Sequence, residues 1–187
     1  MNMRSIARMT GAAALAGTLA GCATGVPRQL VVRPADFKAT HNFADSPLAG
    51  AVAVGAVANH APPKGGFFEA RFVDANTVAM SLNASLKEVG FLAEGDAAPR
   101  YTVAADILFL RTPGPGFTMT AKSEIDYALR ENASGAEVYH KTLAGEFTGG
   151  LAYEFDGGKR SAGVQYESVR MTVQQFLDEI TGLAADW

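Results

Sequence analysis

The sequence predicts an α+β two-layer sandwich: a mainly antiparallel sheet of about four strands with two amphipathic helices on one face, in the order β-α-β-β-β-α. Three observations lead there. The stretch from Phe117 to Arg130 alternates apolar and polar residues, the signature of a strand with one wet face. Two other stretches carry apolar residues at helical spacing, and Pro- and Gly-rich breakers separate the segments. The chain has 187 residues, of which 48% are apolar, enough for one domain with a real core.

The elements follow in order. From Ala49 to Ala58, small and β-branched residues predict a strand with Val52 and Val54 on one face. The run Asn59-His60-Ala61-Pro62-Pro63-Lys64-Gly65-Gly66 breaks it. Val78, Leu82, Leu86 and Val89 then form a helical stripe, with Gly90 as its C-terminal stop. From Tyr101 to Leu110 the period returns to two, with Tyr101, Val103, Ile107 and Phe109 on one side. Thr112-Pro113-Gly114-Pro115-Gly116 breaks the chain again. In the next strand Phe117, Met119, Ala121, Ile125, Tyr127 and Leu129 share the apolar face, on which both helices are expected to pack. Glu131 to Gly135 reads as a turn, and Val138 to Phe147 as the returning arm of a hairpin, with Tyr139, Leu143 and Phe147 on one face. Gly149 to Gly163 reads as a Gly-rich loop with Ser161 as the cap of a final helix. That helix bears Tyr166, Val169, Val173, Phe176, Leu177 and Ile180 on one face, with Gly182 as its stop.

The N-terminus reads differently. Arg4 and Arg8 precede a short apolar segment, Met9 to Leu19, and no acidic residue occurs before Asp36. The segment is shorter than the ~20 residues that a membrane span needs. It ends in Leu19-Ala20-Gly21-Cys22, which resembles the lipobox of bacterial lipoproteins. That resemblance implies cleavage after Gly21 and a diacylglycerol on the Cys22 thiol. Cys22 is the only cysteine of the chain, so an exported domain carries neither a disulfide nor a Cys-based metal site. Residues 1–21 are thus expected to be a signal peptide, 22–47 a lipidated N-terminus and flexible tether, and 48–187 the domain. Within the tether, Leu30-Val31-Val32 is a candidate edge strand, and Phe37 and Phe43 are candidates to dock on the domain. In the enterobacterial sorting pattern an Asp after the cysteine retains a lipoprotein in the inner membrane. Ala23 therefore favours the outer membrane, with the domain facing the periplasm.

The formal net charge is −3, and loss of Arg4 and Arg8 makes the remainder more acidic still. Such a balance argues against nucleic acid as a partner, since phosphate binding needs clustered Lys and Arg. His41, His60 and His140 show no metal-ligand spacing, and no Gly-x-Ser-x-Gly pentapeptide occurs. Glu124 and Asp126 read as charges on a wet face. No catalytic residue, cofactor or metal is expected. Lys159, Arg160 and Ser161, between the Gly-rich loop and the last helix, are the candidates for an anion or partner contact.

The chain resembles small Gram-negative envelope lipoproteins of the YajG type. The segments that carry the resemblance are Leu86-Lys87-Glu88-Val89-Gly90-Phe91, Tyr101-Thr102-Val103, Asp126-Tyr127-Ala128-Leu129, Gly135-Ala136-Glu137-Val138-Tyr139 and the closing Phe176-Leu177 helix. It implies a non-enzymatic, membrane-anchored protein that binds a protein or lipid partner in the envelope. The alternatives are an envelope hydrolase with a dispersed active site and a purely structural envelope component.

Overall fold

The computed structural model describes residues 26–37, 42–62, 71–95, 98–111 and 113–184. Four strands and two helices follow in the expected order: β1 (Val52–Asn59), α1 (Ala75–Glu88), β2 (Tyr101–Arg111), β3 (Met119–Glu131), β4 (Glu137–Gly149) and α2 (Gly157–Ala184). The sheet order is β1-β2-β3-β4. The pairs β2–β3 and β3–β4 are antiparallel, whereas β1 pairs with β2 in parallel across the α1 crossover. The sheet is therefore mixed, with one parallel pair on its edge.

Both helices pack on one face, and residues from α1, α2 and all four strands share a single buried cluster. Tyr127 of β3 stacks on Phe176 of α2 at 4.9 Å between ring centroids, and Tyr139 of β4 meets the same ring edge-on at 5.5 Å. The Tyr127 hydroxyl is satisfied by Thr172 Oγ1 at 2.8 Å, as a buried phenol requires. Gly145 explains how closely α2 approaches β4. A Cβ at that position would lie 2.0 Å from the Ser168 carbonyl oxygen, so only glycine lets the helix backbone settle there. Asp74 caps α1 by accepting from the Thr77 N–H at 2.7 Å, and Gly90 ends the helix with a φ of 76°.

The structure corrects several details of the sequence reading. A bulge in β2 falls between Ile107 and Phe109. Strict alternation then fails: Leu108 is exposed, and Leu110, not Phe109, is buried on the core face. Phe117 lies before β3 begins and is 78% exposed, so it is no core anchor. The final helix starts at Gly157 and runs through Gly182 to Ala184. Its cap is Asp156, whose Oδ1 accepts from the Lys159 N–H at 2.8 Å, not Ser161. An acceptor side chain three residues ahead outcompeted the glycine signal.

The stretch 22–47 is docked where it is described. Leu30-Val31-Val32 forms no strand: a 3-10 turn, Arg28–Leu30, precedes an extended passage. Leu30 and Val32 are fully buried. They are fastened to α1 by Ser81 Oγ donating to the Leu30 carbonyl and by the Val32 N–H donating to Ser85 Oγ at 3.0 Å. Phe37 and Phe43 pack against the core, and Phe43 meets Phe91 edge-on.

Candidate functional site

Two regions bring chemistry-bearing residues together, and they lie on different parts of the sheet.

The first is the end where β4 hands over to α2. Arg160 sits in the first turn of α2 and is 4% exposed. Its guanidinium donates to the Glu154 carbonyl at 2.5 Å, the Phe155 carbonyl at 3.1 Å and the Gly116 carbonyl at 2.9 Å. It thereby ties the β2–β3 loop to the β4–α2 loop. Its Nε is buried and has no hydrogen-bond partner among the described residues. Of the three candidate contact residues, Arg160 is thus turned inward as a clamp. Lys159 is exposed. Ser161 Oγ lies 3.4 Å from the Gln165 amide nitrogen, one helical turn on. An open cleft of about 370 Å³ lies beside the clamp, lined by Phe72, Pro113, Pro115, Met119, Arg160 and Ser161 among others.

This end also carries what the sequence reading missed. Phe117 and Phe155 are 78% and 83% exposed, and Leu151 and Tyr153 flank them at 43% and 37%. Tyr153 packs against Phe147 and against the glycine surfaces of Gly149 and Gly163. The alternating pattern puts Phe117 on the core face of the strand and gives no sign of this patch. The signal for the rest was present: Leu151, Tyr153 and Phe155 stand in a short connector between Gly150 and Gly157, outside the segments that read as strand or helix.

The second region is the wet face of the sheet. His140 Nε2 lies 2.7 Å from Asp126 Oδ2, and His140 Nδ1 lies 3.0 Å from Glu137 Oε1. Thr142 donates to the other Asp126 oxygen at 2.8 Å. The hydrogen bond to Asp126 and the charges of Asp126 and Glu137 raise the His140 pKa above the ordinary histidine value. His60 pairs with Asp106 on β2 at 2.6 Å. Glu124 is exposed on the same face. Ser123 is fully buried on the opposite, core face of β3, so the sheet separates it from both histidines. None of the three clefts described is lined by His60 or His140.

Among the described residues no group of three or more His, Cys, Asp or Glu is placed to hold a metal ion. No helix among them is long and apolar enough to cross a membrane. Gly21, Cys22 and His41 lie outside the described residues.

No family model and no curated protein matches the chain. Solved structures similar to the chain are found, and the first of those named next shares its fold. A protein from Xanthomonas campestris of the DUF330 family is 12% identical, with 73% of this chain and 87% of that one covered and a TM-score of 0.51. A candidate lipoprotein from Caulobacter crescentus is 10% identical, covering 74% of this chain and 92% of that one, with a TM-score of 0.49. A lipoprotein from Neisseria meningitidis is 13% identical, covering 71% and 98%, with a TM-score of 0.39.

Proposed function

We propose that the protein is a lipid-anchored component of a bacterial envelope. It is cleaved after Gly21 and acylated on Cys22, and its domain binds a protein or lipid partner on the periplasmic side of the outer membrane without catalysing a reaction. The observation that carries this reading is Leu19-Ala20-Gly21-Cys22, which holds the chain's only cysteine behind a basic and then apolar segment. Acylation accounts for a thiol that has no partner in an oxidising compartment. Several acyl chains make the attachment durable, since each buried CH₂ contributes about 0.8 kcal/mol. The YajG-type kinship belongs to the same proposal.

The geometry of the polar groups favours binding over hydrolysis. His140 and Asp126 sit on an open sheet face whose nearest hydroxyl, Thr142, already donates to Asp126. A nucleophile needs a base within hydrogen-bond reach and a site that excludes water. The wet face offers a solvated charge network instead.

Growth with labelled palmitate tests the anchor. Label should enter the wild-type chain and be absent from Cys22→Ser, and fractionation should place the mature protein with the outer membrane. Label retained in Cys22→Ser overturns the lipoprotein reading. Crosslinking in intact cells should capture a larger complex, and recovery of a lone monomer with no envelope defect on deletion overturns the binding role.

A further inference from the structure

We propose that the aromatic end of the domain, formed by Phe117, Leu151, Tyr153 and Phe155, rests on the surface of the lipid bilayer that holds the Cys22 anchor. The inference rests on the lipoprotein reading above and adds the orientation of the domain.

The patch is built and not loose. Phe117 and Phe155 belong to different loops, and the Arg160 guanidinium fastens those loops together through the carbonyls of Gly116, Glu154 and Phe155. Gly150 lies against the Phe117 carbonyl. Among the described residues, the two most exposed aromatic rings are therefore held at one end by a buried clamp. Isolated exposed apolar residues are ordinary on a protein surface, but several brought to one end by two joined loops mark a contact.

The path of the N-terminal chain chooses the occupant. Asp36 lies beside the middle of α2, where its Oδ2 is 3.2 Å from Arg170 and its carbonyl accepts from the Gln174 side chain at 2.6 Å. Gln29 lies nearer the helix start, sharing a cleft with Tyr153, Lys159 and Ala162. Followed backwards, the chain thus runs along α2 toward the aromatic end. Val26 is still packed on the core. From there to Cys22 is only four residues, a reach of at most ~14 Å fully extended. A lipid on Cys22 keeps Val26 within that distance of the membrane, and Arg28 and Gln29 just after it share clefts with Tyr153, so the bilayer is the surface that the patch meets at high effective concentration. The opposite end, at the β3–β4 turn, is roughly 40 Å away along β3, at about 3.3 Å per residue.

The surrounding charge is mixed, with exposed Arg28, Lys159 and Asp156 near half-buried Glu154. Contact is therefore made by apolar and aromatic insertion at the headgroup level, the depth at which amphipathic rings collect, and not by attraction to anionic lipid.

The test uses the full, acylated chain reconstituted in phosphatidylethanolamine–phosphatidylglycerol vesicles with brominated acyl chains. The single natural tryptophan is removed by Trp187→Phe. A reporter is then placed by Phe117→Trp, Phe155→Trp or, as the distant control, Ala133→Trp in the exposed β3–β4 turn. All three sites are exposed and tolerate the ring. Quenching at 117 and 155 should exceed that at 133 by roughly two-fold or more, with little dependence on the phosphatidylglycerol fraction. Vesicle-bound, acylated protein with equal quenching at all three sites overturns the orientation and leaves the lipoprotein reading standing. Blue-shifted emission at 117 and 155 without bromine quenching means that protein covers the patch, and overturns it too. Absence of palmitate from Cys22 removes the anchor and overturns both.

Discussion

The two ends of the sheet are built from opposite chemistry. At the β3–β4 turn no large apolar side chain is exposed, and the polar groups pair with one another. Arg100 bonds Glu131 at 3.2 Å, Ser134 donates to the other Glu131 oxygen at 2.8 Å, and Asn132 bridges Thr102 and the Pro99 carbonyl. The Ser134 hydrogen bond, followed by that from Arg100, holds the Glu131 carboxyl below its ordinary pKa. Gly135 supplies the positive φ, 72°, that closes the turn. At the other end the polar groups are turned inward and the rings outward: Arg160 is buried while Phe117 and Phe155 face solvent. The difference teaches that a sheet end needs only a paired polar turn in order to fold. The aromatic end goes against the hydrophobic preference of its residues, and such a departure from local consistency is where function is expected.

The comparison is broken most strongly at Arg160. Arg160→Met leaves three carbonyls without their donor and unfastens the two loops. Loss of charge-assisted hydrogen bonds of this kind predicts a destabilisation of about 2–4 kcal/mol by urea unfolding. At the polar end, Arg100→Met removes an exposed pair, and the cost should stay under about 1 kcal/mol. Equal costs at the two positions would show that Arg160 is no clamp.

A step lower stands Gly135→Ala. A Cβ at a φ of 72° is strained whatever the space around it, and the substitution should cost about 1 kcal/mol, seen as a fall in Tm. Gly114, in the aromatic-end loop, has no positive φ and open space for a Cβ. Gly114→Ala should therefore be neutral or slightly stabilising, by up to about 1 kcal/mol through the unfolded chain.

How much of this was legible in the sequence follows the same division. The β3–β4 hairpin was readable because Phe117 to Arg130 alternates and Gly135 closes a polar turn. Helix α1 was readable because Val78, Leu82 and Leu86 repeat at helical spacing. The parallel pairing of β1 with β2 was not, since pairing direction leaves no mark on the alternation of either strand. The β2 bulge was not, because Leu108, Phe109 and Leu110 are all apolar, so either Phe109 or Leu110 suits the core face. Arg160 was placed in a loop as an anion contact because its long side chain gives no local sign that three carbonyls from two loops converge on it. Leu30 and Val32 were assigned to the tether because a segment docked on helices by single hydrogen bonds carries no period.

The patch itself separates folding from contact. The double change Phe117→Ser, Phe155→Ser removes two exposed rings that support no core residue. Stability should stay within about 0.5 kcal/mol of wild type. A loss much larger than that would mean that the rings hold the fold and that the aromatic end is not a contact surface at all.

The smallest effect belongs to the polar half and is electrostatic. His140 stands beside Asp126 and Glu137 near the β3–β4 turn, and its pKa is raised, first by the Asp126 hydrogen bond, then by the charges of Asp126 and Glu137. The folded state therefore binds this proton more tightly than the unfolded chain does. The resulting stabilisation is fully present below about pH 6.5, the ordinary histidine value, and is lost as pH rises through the raised folded value. The side chain is half exposed, so its contribution to unfolding is screened and the NMR titration of the ring is the sharper measurement. His140 should titrate above the ordinary value in wild type. It should move down in Asp126→Asn, which removes the largest cause, and less in Glu137→Gln. Raising the salt concentration should shrink the elevation, because exposed charges are screened over about 10 Å at 0.1 M. An elevation that survives both Asp126→Asn and high salt would point to an enclosed histidine instead. The open sheet face would then be the wrong picture of this half of the molecule.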